Sequence, residues 1–422
     1  MSNRHLVTRL ASVGSLLALL GACSTDRTTA PTSRLTPGDA SANESEGRGV
    51  FQRYVAIGTS ISMGWASDGV IAATQLTSWP AQLAAMAGRD LSQPYIAGTG
   101  CRSPLVAPLL TFTRLSGESA AADPATLSCS PLRADVTLPV SNVSISGALT
   151  KDALLTTPDN VTDPVYAQLY HRVLQPGNTQ VSTMMALNPK LVSVELGVDE
   201  IFGARSGIAV PGVSIVPLQV WQPLYDAVLD SVQKVSKMAV LVGLVADAAH
   251  FPGFRRGAEL WDDRLEFALF NVAVSPDCTG SANLLFVPIR VELAVATGAQ
   301  LAAQHLGPFV LSCAAGGTLD PDLVLTPAEL AVVNALIHAM NVHIRSEAVR
   351  RGLAYFELGA LYDRSDLKAA PFSVVAMMMT TATPYGPLIS LDGVHPSATG
   401  STVLAHAAAA ALNTTYNLGL PE

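Results

Sequence analysis

The run Tyr54-Val55-Ala56-Ile57-Gly58-Thr59-Ser60-Ile61-Ser62-Met63-Gly64 decides how the rest of the chain is read. Residues 54–57 are continuously apolar, the pattern of a short strand buried on both faces. Gly58 and Thr59 then break the run and leave Ser60 on the turn that follows. Taken alone, Ser60 is either a nucleophile or a turn residue after an ordinary strand.

Three more short apolar runs, at 191–196, 238–245 and 353–358, repeat the signature. They alternate with helical patterns from Phe51 to the C-terminus, which predicts an α/β fold: a mainly parallel sheet covered on both faces, a three-layer α/β/α sandwich. The clearest helix is Pro327–Arg351. Thr326 is a candidate N-cap, Pro327 takes the first helical position, and Glu329 completes a capping box. Leu330, Val333, Ile337, Met340 and Ile344 recur at helical spacing, and Gly352 can close the end. A second, Ala-rich helix is expected over 397–412. Two stretches, 99–139 and 248–325, are too rich in Cys, Gly and Pro for a minimal three-layer frame and read as insertions.

At 422 residues with 49% hydrophobic content, the chain can bury a large core. Charged residues make up only 14% and mean hydropathy is +0.35, which argues against disorder. A net charge of −8 with no long basic run gives no footprint for a phosphate backbone, so nucleic acid is excluded as a partner.

The N-terminus reads as an address. Arg4 and Arg9 precede an apolar stretch at 10–20 that is too short to span a bilayer. The sequence Leu20-Gly21-Ala22-Cys23 resembles the lipobox of bacterial lipoproteins. That resemblance implies a signal peptide over 1–22, lipidation of Cys23 and, with Ser24 following, an outer-membrane destination in the cell envelope. A plain secretory signal with an incidental cysteine is the alternative. Residues 23–50, rich in Ser, Thr, Pro and Gly, read as a flexible tether to a folded domain over 51–416.

Export permits disulfides among Cys101, Cys129, Cys278 and Cys313. Three pairings are possible; the sequence-local one, Cys101 with Cys129 and Cys278 with Cys313, is expected. No C-x-x-C spacing is present, which disfavours zinc.

Near the C-terminus, Ser390-Leu391-Asp392-Gly393-Val394-His395-Pro396 sets a carboxylate and an imidazole three residues apart around a glycine. A carboxylate beside an imidazole holds its tautomer, as a general base for a serine requires. A solvated turn ahead of a helix fits Asp-x-x-His equally.

Gly58-Thr59-Ser60-Ile61-Ser62 and Asp392-Gly393-Val394-His395-Pro396 together resemble the first and last motifs of the GDSL or SGNH hydrolases, a family of serine esterases and lipases. Residues 142–154, with Gly147, are similar to the second motif, and Leu196-Gly197-Val198-Asp199-Glu200 to the third. Residues 68–75, 78–80 and 100–104 resemble a bacterial lipoprotein branch of that family. The resemblance implies that Ser60 attacks an acyl carbonyl, that His395 takes its proton, and that Asp392 orients His395. The N–H groups of Ser60 and Gly147 would stabilise the oxyanion, with no metal or organic cofactor.

Two positions depart from the motifs. Thr59 replaces an aspartate, and Asp199 stands where the family carries an oxyanion-donating asparagine. An ionised Asp199 offers only acceptors. It is therefore protonated, bypassed by another donor, or a mark of weakened catalysis. The expected activity is cleavage of carboxylic esters, of lipids or acylated carbohydrates, through an acyl-serine; the rival is a hydrolase scaffold kept as a surface binding lipoprotein. Oligomeric state has no signature here.

Among other candidates, His338 and His343 lie five apart on one helix and do not share a face. Glu195, Asp199 and Glu200 lack a histidine to complete a metal site. Arg255, Arg256 and Arg264 read as a solvated face, and Met377, Met378 and Met379 as either an acyl pocket or core.

Overall fold

A computed structural model describes residues 49–120, 129–368, 371–380 and 383–422. Cys23 and the signal and tether segments through residue 48 lie outside them. In chain order the strands are β1 (Tyr54–Gly58), β2 (Leu191–Glu195), β3 (Met238–Gly243), β4 (Phe254–Arg256), β5 (Val272–Val274), β6 (Leu284–Phe286), β7 (Phe309–Leu311), β8 (Val324–Leu325) and β9 (Ala354–Glu357). The principal helices are α1 (Ser60–Met63), α2 (Trp79–Met86), α3 (Thr150–Leu155), α4 (Pro164–Val173), α5 (Gln180–Leu187), α6 (Val198–Phe202), α7 (Leu218–Val235), α8 (Val287–Ala303), α9 (Pro327–Arg351) and α10 (Ala398–Tyr416).

All four apolar runs become strands of one parallel sheet, ordered β1-β2-β3-β9, with Tyr54 opposite Leu191, Val192 opposite Ala239 and Val240 opposite Ala354. Helices α2 and α10 pack together on one side, and α5, α7 and α9 on the other. Both β1 and β2 are consequently buried along their whole length; β1 is apolar throughout, and the polar Ser193 and Glu195 of β2 are satisfied by Tyr54 and by Thr59 and Ser62. Strand β3 stops two residues short of its apolar run. There the Asn341 side chain on α9 accepts from Leu244 N–H (2.7 Å) and donates to Val245 O (3.2 Å), replacing the ladder.

Helix α9 has the expected ends. Thr326 Oγ1 accepts from Glu329 N–H (3.2 Å), the Glu329 carboxylate accepts from Thr326 N–H (2.9 Å), and Gly352 takes φ 64°. The C-terminal helix runs one turn past its expected end, to Tyr416, where Asn417 closes it in the left-handed region.

Both extra segments hold the sequence-local disulfides, Cys101–Cys129 and Cys278–Cys313. The second segment also builds an antiparallel sheet β4-β6-β8 and a parallel pair β5-β7. Strands of two or three residues are too short to show periodicity, so sequence reasoning missed them. Arg255 corrects an expectation: it is buried in β4, donating to Glu259 Oε1 (3.0 Å), whereas Arg256 and Arg264 are exposed.

Outside β1, the stretch from Ser141 to Ile145 continues the sheet's hydrogen bonding. Ala56 N–H donates to Ser141 O (2.9 Å), and Val143 and Ile145 donate to Ala56 O (2.9 Å) and Gly58 O (3.1 Å). This pairing delivers Gly147 to the end of β1 that carries Ser60.

Candidate active site

Strand β1 ends at Gly58, and α1 begins at Ser60. The turn between them is held from the neighbouring strand by Glu195, the last residue of β2. Its buried carboxylate accepts from Thr59 N–H (2.9 Å), Thr59 Oγ1 (2.9 Å), Ser62 N–H (3.3 Å) and Ser62 Oγ (3.0 Å). Trp79 Nε1 donates to Ser62 Oγ (3.0 Å) and Asn142 Nδ2 to Ser62 O (2.9 Å). Burial pushes Glu195 up to about 7, against these hydrogen bonds. The chain therefore has a carboxylate beneath the Ser60 turn, from β2 instead of position 59. Thr59 was the only sequence sign of this exchange.

The loop bearing Asp392 and His395 closes on itself through Ser390 N–H to His395 O (2.9 Å). His395 Nε2 lies 2.9 Å from Ser60 Oγ, and His395 Nδ1 lies 2.9 Å from Asp392 Oδ2. The three predicted residues therefore form one hydrogen-bonded row. Asp392 Oδ1 also accepts from Val394 N–H (3.0 Å) and His395 N–H (2.9 Å), and Oδ2 from Asp68 N–H (2.8 Å). Burial alone would raise the Asp392 carboxyl, but the His395 charge and these donors outweigh it and hold the group down at about 2.

Sequence reasoning missed the support behind Asp392. The Asp68 carboxylate pairs with Arg102 (3.1 Å) and Arg114 (2.7 Å), both from the first extra segment, and Arg114 also donates to Ser103 O (2.8 Å). No local pattern connects these residues; only the disulfide-bearing loop brings them together.

On the opposite side stand Gly147 and Asp199. Gly147 has φ +77°, and a Cβ there would lie 2.7 Å from the Tyr166 ring, so the backbone can approach only as glycine. Among the described residues, neither Ser60 N–H nor Gly147 N–H has an acceptor within the fold. Asp199, in the first turn of α6, is enclosed and its Oδ2 has no hydrogen-bond partner. Burial, then the Glu200 and Glu195 carboxylates, raise it well above the ordinary carboxyl range, with Arg205 opposing. Glu200 faces elsewhere, accepting from Thr150 N–H (2.6 Å).

These groups line one cavity of ≈ 330 Å³. Phe112, Phe202, Phe286, Ile289 and Leu293 make much of its wall apolar, and Arg102, Arg205 and Glu292 interrupt it. That size and mixture suit a small organic ligand. Met377 and Met378 are buried in the core and do not line the cavity. His343 is a packing residue, against Trp221 and paired with Asp226 (2.8 Å). Chemically, the arrangement presents a hydroxyl whose proton has an oriented acceptor, beside two unengaged N–H groups.

No family model and no curated protein matches the chain. Solved structures similar to it include a variant of an acetyl xylan esterase from Geobacillus stearothermophilus, at 11% identity and TM-score 0.35 over 87% of this chain and 95% of that one. An extracellular lipase from Streptomyces rimosus gives 14% and 0.33 over 84% and 98%. A phospholipase A1 from Streptomyces albidoflavus gives 14% and 0.30 over 86% and 98%.

Proposed function

We propose that this chain is a serine hydrolase of the SGNH type that cleaves carboxylic esters through an acyl-serine intermediate. The observation that carries the reading is the row Ser60 Oγ, His395 Nε2, His395 Nδ1, Asp392 Oδ2, with both contacts at 2.9 Å at the wall of a ligand-sized cavity. His395 accepts the Ser60 proton as Oγ bonds to the acyl carbon, and the carbonyl electrons move onto oxygen. Asp392, held ionised by its donors, keeps Nδ1 protonated and stabilises the imidazolium. The same proton then passes to the departing alcohol, and water, deprotonated by His395, releases the acid.

The developing oxyanion meets the N–H groups of Ser60 and Gly147. Asp199 acts from the same side as a neutral acid, donating an O–H where an ionised carboxylate would repel. Its enclosed, unpartnered Oδ2 supports this role. The orphaned carboxyl also favours the second reading, a binding scaffold with weakened catalysis, in which Asp199 is an acceptor for a ligand.

A fluorophosphonate probe separates the two. Labelling of the wild type that vanishes in Ser60→Ala, with p-nitrophenyl butyrate hydrolysis falling about 10⁵-fold or more, supports the hydrolase. An accessible Ser60 that the probe leaves unlabelled supports the scaffold. The proposed setting is the cell envelope, through a lipid on Cys23. Detergent partitioning of wild type that is lost in Cys23→Ala supports the anchor, and equal release of both rejects it.

A further inference from the structure

The cavity has two sides. Gly147, Asp199 and Arg205 stand together on the oxyanion side, Asp392, His395 and Asp68 with Arg102 and Arg114 on the base side, and Tyr166, against Gly147, feels charges of both. Helix α8 brings one further group to the base side, Glu292. Its Oε1 is enclosed and has no hydrogen-bond partner. Asp68 and Asp392 repel it, while Arg114, the cation that would favour its charge, is already paired with Asp68. An enclosed carboxyl oxygen without a partner is costly unless a proton or a ligand satisfies it.

Nothing in the fold engages this carboxyl oxygen, and the reaction says what should come beside it. The leaving alcohol must sit next to His395, since that imidazole protonates it. Glu292 shares that side with His395, so it faces the alcohol portion of the ester and not the acyl portion. A neutral carboxylic acid presents one O–H donor and one C=O acceptor, the complement of an alcohol hydroxyl.

We infer that Glu292 is a specificity residue for the alcohol half of the substrate, and that the substrate class is esters of hydroxyl-bearing alcohols, such as acylated glycerol or sugar. The inference rests on the hydrolase reading. It assigns α8 of the second disulfide-bearing segment the recognition of a hydroxyl adjacent to the scissile bond. Burial, then Asp68 and Asp392, push the Glu292 carboxyl up to about 8, with Arg114 opposing, so the acid is neutral at neutral pH. The titratable and charged groups on this side are Asp68 with its partners Arg102 and Arg114, Asp392 with His395 on the last loop, and the buried Tyr385 hydroxyl. As pH rises through that value the donor is lost and the preference for hydroxylated alcohols falls with it.

The test compares kcat/KM for glyceryl monobutyrate, which offers hydroxyls, and p-nitrophenyl butyrate, which offers none, in wild type, Glu292→Gln and Glu292→Leu. The preference ratio for the glyceryl ester should fall about tenfold in Glu292→Leu and stay within about threefold in Glu292→Gln. The wild-type ratio should decline above about pH 8, and that decline should disappear in Glu292→Gln, whose amide remains a donor. Equal losses on both esters in Glu292→Leu, or a ratio independent of pH in the wild type, would overturn the inference while leaving the hydrolase intact. Turnover of neither ester by folded wild type would overturn the hydrolase reading and this inference together. Near-ultraviolet circular dichroism of each variant identifies any loss that reflects unfolding.

Discussion

Two aspartates on opposite walls of one cavity have opposite fates. Asp392 is buried and Asp199 has an enclosed carboxyl oxygen, yet Asp392 is held at about 2 and Asp199 is raised well above the ordinary range. Burial pushes both upward. The difference is the surroundings: Asp392 has the His395 charge beside it and accepts from three backbone N–H groups and the His395 ring, whereas Asp199 Oδ2 accepts from nothing and feels the Glu200 and Glu195 charges. Neighbouring charge together with donors, and not depth, therefore decides which carboxyl is charged. Glu195 is an intermediate case: well supplied with neutral donors but without a cation, it lies at about 7.

Removing the charge at the donor-rich side should have the largest effect. Asp392→Asn should lower kcat about 10⁴-fold with the cavity intact, because the amide can favour the wrong His395 tautomer. A loss below about tenfold would break the contrast, since the carboxylate richest in donors would then not be the orienting group. On the other wall, Asp199→Ala should cost about 10²- to 10³-fold in kcat, the loss of one oxyanion donor. Asp199→Asn should retain activity and extend it to higher pH, because the amide cannot ionise. If wild type and Asp199→Asn share one pH profile, Asp199 is not a proton-dependent donor.

Glu195 sharpens the comparison from beneath the serine. Glu195→Ala leaves the Thr59 and Ser62 donors unmatched and should lower kcat about a hundredfold with little change in KM, since Ser60 is misplaced and not removed. Glu195→Gln should restore most of it, because an amide oxygen can still accept from both N–H groups. The smallest effect is on stability. The Asp199 carboxyl is raised in the folded state, so its stabilisation is complete below its unfolded value near 4 and is lost as pH rises through the folded value. Asp199→Asn should therefore raise Tm more at about pH 9 than at about pH 5. An equal shift at both would show that Asp199 is not protonated in the fold.

Much of this architecture is local and was legible. Four short, nearly continuous apolar runs between helical patterns read as strands of a covered sheet, and Thr326, Pro327, Glu329 and Gly352 specify both ends of α9 within a few residues of chain. Asp392 and His395 were legible for the same reason, lying three residues apart on one loop. Arg255 and the early end of β3 were not, because each depends on a partner far along the chain: Phe372 for Arg255, Asn341 for β3; the short strands of the second segment were not, because two or three residues show no period.

By itself the sequence determined the element types, the caps and the identity of the groups able to carry a nucleophile, a base and an orienting acid. Propensity, periodicity and hydrogen bonds within one turn act between neighbours. Only the tertiary structure decided that Ser60 meets His395 across 335 positions, that Glu195 takes over beneath Thr59, and that Asp199 and Glu292 face the cavity without partners. A carboxyl's charge depends on the water it loses and the donors it gains, and both are supplied by residues that sequence distance does not reveal.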